Sequence, residues 1–465
     1  MERQAKIENQ LCKDDNSICE DEFVCLDDVM GIVRQAAERT ARRALAQAEE
    51  LMRARKWQEM IELFHPMEEK MPELVEAGQD CALREKVAFA MGQVKMFDQA
   101  IDQLRLCLER EPASFRVHSS LAYTAYNCLY AAKNREIMLS GKLRKKRIEL
   151  AHRHFGMAQN LRPDGVTNYY RQAMLYLQLE DKPRKAYPLF KKAIANWEAL
   201  DEDKRQRRHQ EAKNYVKALY NGAKAALEIG RCEEGLELIK KCLAADEASN
   251  HLERQNKYFA LGKLNFQLNR YEAARDALKF ARQCNDGRPA DHVTELLART
   301  YLAMGGAEKA RQEICKVPPK RKRPYIAWTE ADILLQLGKV NKARAVLQAA
   351  REKDGRSRHK TCVKMAGIAY LAGDFTAAMQ LGAEADEFFR KQWMNHCGEG
   401  LFWKAVGALK AGRRETAAEA LDQLQRHFPD HPRLGRLQSA IGRMAEDGKD
   451  GCKKEDKQPA LRPVG

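Results

Sequence analysis

The stretch from residue 258 to residue 281 constrains the fold most strongly, because it has the pattern of two short helices joined by a tight turn. Apolar residues recur at helical spacing on both sides of Asn269: Leu261, Leu264 and Leu268 before it, and Ala274, Ala277, Leu278 and Ala281 after it. Gly262 and Ala274 are small where two packed helices must approach each other closely. This stretch therefore predicts an antiparallel helix hairpin.

The same turn pattern recurs along most of the chain, with a small or apolar residue five positions after the turn. The turn residues are Lys95, Asp181, Gly230, Asn269, Gly305, Gly338, Gly373 and Gly412, with Arg55 as a weaker member and Lys146 as one that fits if an insertion precedes it. Glycine is common among them because the end of a helix often needs a left-handed residue. Most intervals lie near the roughly 34 residues of a two-helix repeat. We therefore expect about ten hairpins.

The opening hairpin resembles a tetratricopeptide repeat (TPR). The residues at that family's spacing are Tyr258, Leu261, Gly262, Tyr271, Ala274, Leu278 and Ala281. The stretch departs from the pattern at Asn265, where an aromatic residue is usual, and in lacking a terminal proline. The resemblance implies an all-α, right-handed superhelical solenoid whose first helices line a concave wall. Such scaffolds commonly hold extended protein segments, but the fold itself names no ligand.

Composition divides the chain into four segments. Residues 1–28 are expected to be an acidic, disordered arm, residues 29–430 the repeat array, residues 431–446 a capping helix, and residues 447–465 a polar, disordered tail. Two long intervals between turns predict basic insertions near residues 134–147 and 201–210. A third basic run, at residues 320–323, lies between prolines and is expected to be an inter-repeat loop.

Charge and cysteine usage limit the function classes. The 82 Lys and Arg residues against 66 Asp and Glu give a net charge of +16, which favours an anionic partner. No run approaches the roughly 18 apolar residues of a membrane span, and the N-terminus lacks a secretory pattern, so a cytoplasmic location is expected. The 13 cysteines include no CxxC pair, which predicts reduced thiols and no metal. A metal or redox role stays open for Cys12, Cys19 and Cys25 in the acidic arm.

Catalytic motifs are missing from the sequence. It has no HExxH, no P-loop and no GxSxG, and His152 and His154, two residues apart, would face different sides of a helix. We therefore expect no enzyme activity and no cofactor.

Aligning the hairpins on their turns predicts which side chains line the concave wall. Positions six, ten and thirteen residues before the turn bring cations and aromatic rings to the same wall, to which Tyr123 and Phe266 could add. Forked cations there could bond the oxygens of carboxylates or phosphates. The predicted partner-binding residues are Arg171, Lys217, Tyr220, Lys224, Asn256, Phe259, Lys263, Arg299 and Trp328.

These residues resemble the basic groove in which some TPR proteins hold acidic peptide tails, although no full set of Lys and Asn matches that clamp. The predicted function is a non-catalytic adaptor that holds an acidic or extended partner segment. One alternative is a scaffold for single-stranded nucleic acid, with basic runs on phosphates and aromatic rings on bases. A second is that the acidic arm folds onto the groove as an autoinhibitor, and a third is an ordinary solvated helix face. Membrane insertion is not expected, and the oligomeric state stays open.

Overall fold

The computed structural model describes residues 26–284, 287 and 289–450, and within them the side chains from residue 34 to residue 442. The acidic arm up to residue 25, with Cys12, Cys19 and Cys25, and the tail from residue 451 lie outside the described residues. All regular secondary structure within the described ranges is helical. The chain divides into two compact units, Met1–Leu252 (unit 1) and Glu253–Gly465 (unit 2).

Unit 1 contains thirteen described α-helices. They are α1 (Leu26–Arg53), α2 (Trp57–Phe64), α3 (Met67–Lys70), α4 (Pro72–Glu76), α5 (Cys81–Gln93), α6 (Phe97–Arg110), α7 (Phe115–Lys133), α8 (Gly141–Leu161), α9 (Thr167–Met174), α10 (Pro183–Glu198), α11 (Glu202–Arg207), α12 (His209–Glu228) and α13 (Cys232–Ala245). A π-helical turn, Leu175–Leu179, continues α9.

Unit 2 contains eleven described α-helices and a 3-10 turn at Pro319–Arg321. The helices are α14 (Arg254–Gln267), α15 (Tyr271–Gln283), α16 (Asp291–Ala303), α17 (Ala307–Ile314), α18 (Pro324–Gln336), α19 (Val340–Lys353), α20 (Arg358–Leu371), α21 (Phe375–Trp393), α22 (Gly398–Lys410), α23 (Arg414–His427) and α24 (Leu434–Asp450). Successive helices within each unit pack against each other, which is the arrangement of a TPR-like stack. The predicted all-α hairpin architecture is confirmed.

A left-handed residue closes each of ten hairpins. These residues, all with positive φ, are Arg55, Lys95, Arg135, Asp181, Gly230, Asn269, Gly305, Gly338, Gly373 and Gly412. At Asn269 the N–H donates to the carbonyl of Phe266 (3.0 Å), and the N–H of Arg270 donates to that of Asn265 (2.9 Å). These bonds satisfy carbonyls that the helix end would otherwise leave without partners.

The predicted turn at Lys146 is wrong. Lys146 lies inside α8, and the left-handed residue of this hairpin is Arg135, with a φ of 62°. The helix starts early because the Ser140 hydroxyl accepts the N–H of Leu143 (3.2 Å) and so caps its first turn. The basic run at residues 142–147 is therefore helical, and residues 134–140 form the connection.

Small residues allow the hairpin helices to approach each other. A Cβ on Gly262 would lie 2.6 Å from Cγ of Leu278, and one on Gly407 would lie 2.5 Å from the backbone nitrogen of Met379. Ala274, Leu278 and Ala281 are fully buried, as the apolar face of the opening hairpin predicts. The core of the opening hairpin is thus built from the residues that its sequence pattern predicts.

The ends of the array differ from the expected bounds. Helix α1 begins at Leu26 and so includes the last residues of the expected arm, and α24 runs four residues beyond the expected end of the capping helix. Leu434 and Leu437 of α24 pack with Leu401, Phe402 and Leu424 of the last hairpin. Among the described helices, none is both long and apolar enough to cross a membrane.

Candidate ligand-binding surfaces of the two units

The nine predicted partner-binding residues fall on first helices of hairpins in both units. Unit 1 carries Arg171 on α9 and Lys217, Tyr220 and Lys224 on α12; unit 2 carries Asn256, Phe259 and Lys263 on α14, Arg299 on α16 and Trp328 on α18. One wall that includes all nine stays a prediction.

Helix α12 presents a cationic stripe in unit 1. Lys213, Lys217, Tyr220 and Lys224 follow one another at steps of four, three and four residues, which places them on one helical face. Lys213 is exposed, whereas Lys217, Tyr220 and Lys224 are half-buried. Sequence reasoning missed Lys213, although its spacing of four from Lys217 was a usable signal.

Arg171 joins this stripe from α9. Its guanidinium carbon lies 3.8 Å from the centroid of the Tyr123 ring, a close cation–π contact. Burial lowers the pKa of Arg171, and the neighbouring tyrosines offset only part of that effect. Burial also lowers the pKa of the Lys217 ammonium, and repulsion from Lys213 and Arg171 lowers it further. The structure therefore gathers cations that destabilise each other, on a surface that we call the tyrosine–cation surface: Tyr123, Arg171, Lys213, Lys217 and Lys224.

Carboxylates do not neutralise this surface. Within the described residues, none of its four cations has a carboxylate oxygen within 4.0 Å. Glu211, near the start of α12, instead accepts the N–H of Val166 (3.4 Å) and the hydroxyl of Thr167 (3.3 Å). The positive charge of the tyrosine–cation surface is thus available to a ligand.

Arg299 in unit 2 has partners of its own. Its guanidinium carbon lies 4.9 Å from the centroid of the Phe266 ring, and its Nε lies 3.8 Å from Oε1 of Glu295. Glu295 is buried, which raises its pKa, and it accepts the hydroxyl of Thr329. Arg299 of α16 thus contacts the aromatic ring of Phe266 on α14, but this cation already faces a carboxylate.

The other predicted residues of unit 2 are less alike. Lys263 is exposed and has no ion pair in the described part of the chain, and the ring of Phe259 packs edge-on against His292 at 4.6 Å. Asn256 donates to Glu253 (3.1 Å), and the indole N–H of Trp328 donates to the hydroxyl of Thr361 (2.8 Å). Asn256 and Trp328 therefore contribute to intramolecular contacts.

A buried histidine pair supports the helix that carries Tyr123. Nδ1 of His118 on α7 lies 2.8 Å from Nδ1 of His154 on α8, and Nε2 of His118 lies 2.9 Å from the carbonyl of Pro112. Burial, and then the neighbouring His118, lower the pKa of His154 to about 4. His154 is thus neutral near pH 7 and helps to hold α7 against α8.

The His, Cys, Asp and Glu side chains of the described residues form no metal-binding group. No group of three or more His, Cys, Asp and Glu side chains there is arranged to hold a metal ion. The nine cysteines in this part of the chain are free thiols, six of them buried. Burial raises the pKa of Cys128 and of Cys362 to about 11, so both are unreactive thiols near pH 7.

No protein-family model and no curated protein matches this sequence. Several solved structures are similar to it in fold. The apo form of RapI is 12% identical, with 86% of this chain and 99% of that chain covered and a TM-score of 0.43. Yeast Tom70 is 14% identical over 89% of this chain and 96% of that chain (TM-score 0.40). A tetratricopeptide repeat protein from Parabacteroides merdae is 15% identical over 59% of this chain and 93% of that chain (TM-score 0.40).

Proposed function

We propose that this protein is a non-catalytic interaction scaffold whose tyrosine–cation surface holds an acidic, extended segment of a protein partner. The observation that carries the proposal is the group of four cations without a carboxylate partner among the described residues, with Arg171 stacked on Tyr123. A cytoplasmic location is part of the proposal, supported by the free, largely buried thiols.

The electrostatics of the surface favour binding of an anion. Lys217 loses part of its hydration and is repelled by Lys213 and Arg171, as its lowered pKa indicates. A carboxylate beside it would remove the repulsion and form charge-assisted hydrogen bonds. The interaction is stronger than at a fully exposed site because the half-buried surroundings screen it less. The free surface therefore carries an unfavourable energy that an acidic ligand relieves.

The length of the stripe suits an extended chain. From Lys213 to Lys224 a helix advances about 16 Å, at about 1.5 Å per residue. About five residues of extended peptide span that distance. Tyr220 lies within the stripe and Tyr123 lies under Arg171, so apolar side chains of the ligand would have aromatic contacts between the charges. A short acidic peptide with an occasional apolar residue fits this spacing.

A fluorescent hexaglutamate peptide, with hexalysine as the mismatched probe, tests the proposal by fluorescence anisotropy. Lys217→Glu/Lys224→Glu should weaken hexaglutamate binding more than tenfold. The control is Arg184→Glu/Lys192→Glu, which makes the same charge change at exposed positions of α10 that have no ion pair in the described chain. Equal loss in both variants would mean that only net charge matters, and the proposed surface would be rejected.

Single-stranded nucleic acid is the second candidate ligand, because Tyr123 and Tyr126 place aromatic rings beside Arg171. The basic runs support it less than their sequence suggests. Arg144 donates to the carbonyl of Leu179 (2.8 Å), and Arg208 pairs with Asp164 (2.6 Å). Oligo-dT binding that falls steeply between low and moderate salt, and exceeds hexaglutamate binding, would favour this candidate.

A further inference from the structure

A cavity of about 550 Å³ opens within unit 2 among helices α20, α22 and α24. Its aromatic side is formed by Tyr370, Phe402 and Trp403, and its cationic side by Lys410, Arg433 and Arg436. Cavities of roughly 300–1,000 Å³ hold most small-molecule ligands. All residues that line the cavity belong to unit 2, whereas those of the tyrosine–cation surface belong to unit 1.

The aromatic rings form a continuous apolar wall. The centroid of the Trp403 ring lies 5.7 Å from that of Tyr370 and 5.4 Å from that of Phe402. Val406 and Leu437 complete the apolar lining from α22 and α24. This wall favours an apolar body over a hydrated one, because contact with it removes apolar surface from water.

The cations lie on the same cavity and outnumber the carboxylates. The guanidinium carbon of Arg433 lies 3.7 Å from the centroid of Phe402, and Arg433 also pairs with Glu399. Lys410 and Arg436 are exposed, and neither forms an ion pair within the described chain. The lining thus includes three cations and no carboxylate, since Glu399 contacts Arg433 from outside the lining, and this positive charge favours an anionic group on the ligand.

We propose that this cavity binds an apolar monocarboxylate, with its apolar body against Tyr370, Phe402 and Trp403 and its carboxylate at Lys410 and Arg436. Arg433 keeps its place over Phe402 and adds donors beside the carboxylate. A guanidinium and an ammonium can both donate to carboxylate oxygens, whereas a cationic or uncharged head group would leave them unmatched. The apolar body is either an acyl chain or an aromatic ring system, which share this chemistry.

Titration of the full-length protein with dodecanoate and with 1-naphthoate, followed by calorimetry and tryptophan fluorescence, tests the proposal. Binding of at least one of them should be saturable at one site per chain, below the concentration at which dodecanoate forms micelles. Dodecyltrimethylammonium, with the same chain and the opposite charge, should bind at least tenfold more weakly. Preference for dodecanoate identifies an acyl body, and preference for 1-naphthoate an aromatic one.

Two variants locate the site. Val406→Trp fills the cavity, and Lys410→Glu/Arg436→Glu reverses its exposed cations; each should weaken binding at least tenfold. Lys342→Glu/Arg344→Glu, with the same charge change at exposed positions of α19, is the control and should retain binding within about twofold. Circular dichroism checks that each variant is folded. If Val406→Trp is unfolded, Lys410→Glu/Arg436→Glu alone tests the location of the site. The proposal is overturned if neither carboxylate binds saturably, or if the cavity variants bind as the control does.

Discussion

The first helices of the hairpins carry cations at related repeat positions in both units, but the side chains around these cations differ between the units. Ten residues before the turn, unit 1 has Arg171 and unit 2 has Glu295. Arg171 stacks on Tyr123 beside Lys217, whereas Glu295 lies 3.8 Å from Arg299 and partly neutralises it. Further along unit 2, Lys364 bonds both oxygens of Asp332, at 2.6 and 2.8 Å.

A row of cations on a repeat protein is therefore not by itself a binding site. A cation beside a carboxylate has much of its attraction for an outside anion cancelled, and an exposed pair contributes only about 0–1 kcal/mol to stability. Cations without carboxylate partners repel each other, and this repulsion lowers the stability of the folded protein until an anion binds. The pKa of Lys217 is lowered for this reason, and the same physics makes unit 1 the stronger candidate for an acidic ligand.

The largest difference between the two units should be in how much stability each loses at acidic pH. The pKa of His154 is about 4 in the folded protein and about 6.5 when unfolded, so below pH 6.5 only the unfolded state gains the proton. The stability of unit 1 should fall between pH 6.5 and pH 4, by up to about 3 kcal/mol. Hydrogen exchange at pH 7 and pH 4.5 should show α7 and α8 losing protection first. In His154→Gln the loss with pH should be smaller; an unchanged loss would assign it to other groups.

Single charge reversals should give the next largest difference between the two units. Lys217→Glu should weaken hexaglutamate binding more than tenfold, about 1.4 kcal/mol, because it removes a half-buried cation and places an anion beside the ligand. Lys263→Glu, at an exposed position of unit 2, should change the affinity less than threefold. Anisotropy titrations at one salt concentration measure both. Similar losses at the two positions would show that both units contribute to one groove.

Neutral substitutions should shift the stability of the two units in opposite directions. Lys217→Met should stabilise unit 1 by up to about 1 kcal/mol, because it removes a repelled, partly desolvated charge and keeps the apolar stem. Arg299→Met should destabilise unit 2 by about 0.5–1 kcal/mol, since it removes the contact with Phe266. Urea unfolding at pH 7 measures each change. If Lys217→Met destabilises the protein, the cations of unit 1 are not in conflict.

The smallest effect should come from giving unit 2 an unpaired cation. Asp332→Asn leaves Lys364 without its carboxylate partner and adds one positive charge. Hexaglutamate affinity should rise by about two- to threefold, which is the size expected of one exposed charge. Asp422→Asn on α23, which frees Arg426 in the same way, is the control. An equal gain in both variants would reflect net charge alone.

The hairpins could be predicted because their turns leave a mark in the sequence. A left-handed residue ends each first helix, and glycine or asparagine supplies it at the lowest steric cost, as at Gly230, Asn269 and Gly305. Arg135 is neither glycine nor asparagine, so the sequence does not indicate a turn there. Because the small residue Ala151 lies five positions after Lys146, the sequence pattern predicts the turn at Lys146, which lies within α8. Tertiary context, with the Ser140 cap, decides the conformation there.

The pairing of charges could not be predicted from the same alignment. Repeat positions indicate that Arg299 and Glu295 share a helix face, but not that Thr329 from the next hairpin holds the carboxylate in place. Similarly, the cavity beside Trp403 depends on how α24 packs after the last hairpin, which no repeat spacing encodes. Contacts between helices distant in sequence settle both features.

The left-handed turns of the two units also differ in how much a substitution to glycine could stabilise them. Of the five residues that close hairpins in unit 1, only Gly230 is glycine, whereas glycine closes four of the five described hairpins in unit 2. A side chain in that conformation costs roughly 1–2 kcal/mol, which a glycine avoids. Arg55, Lys95, Arg135 and Asp181 are therefore positions at which glycine would make unit 1 more heat-resistant without touching the tyrosine–cation surface. Substitutions to glycine at those four turns would supply stability that offsets destabilising substitutions on α12.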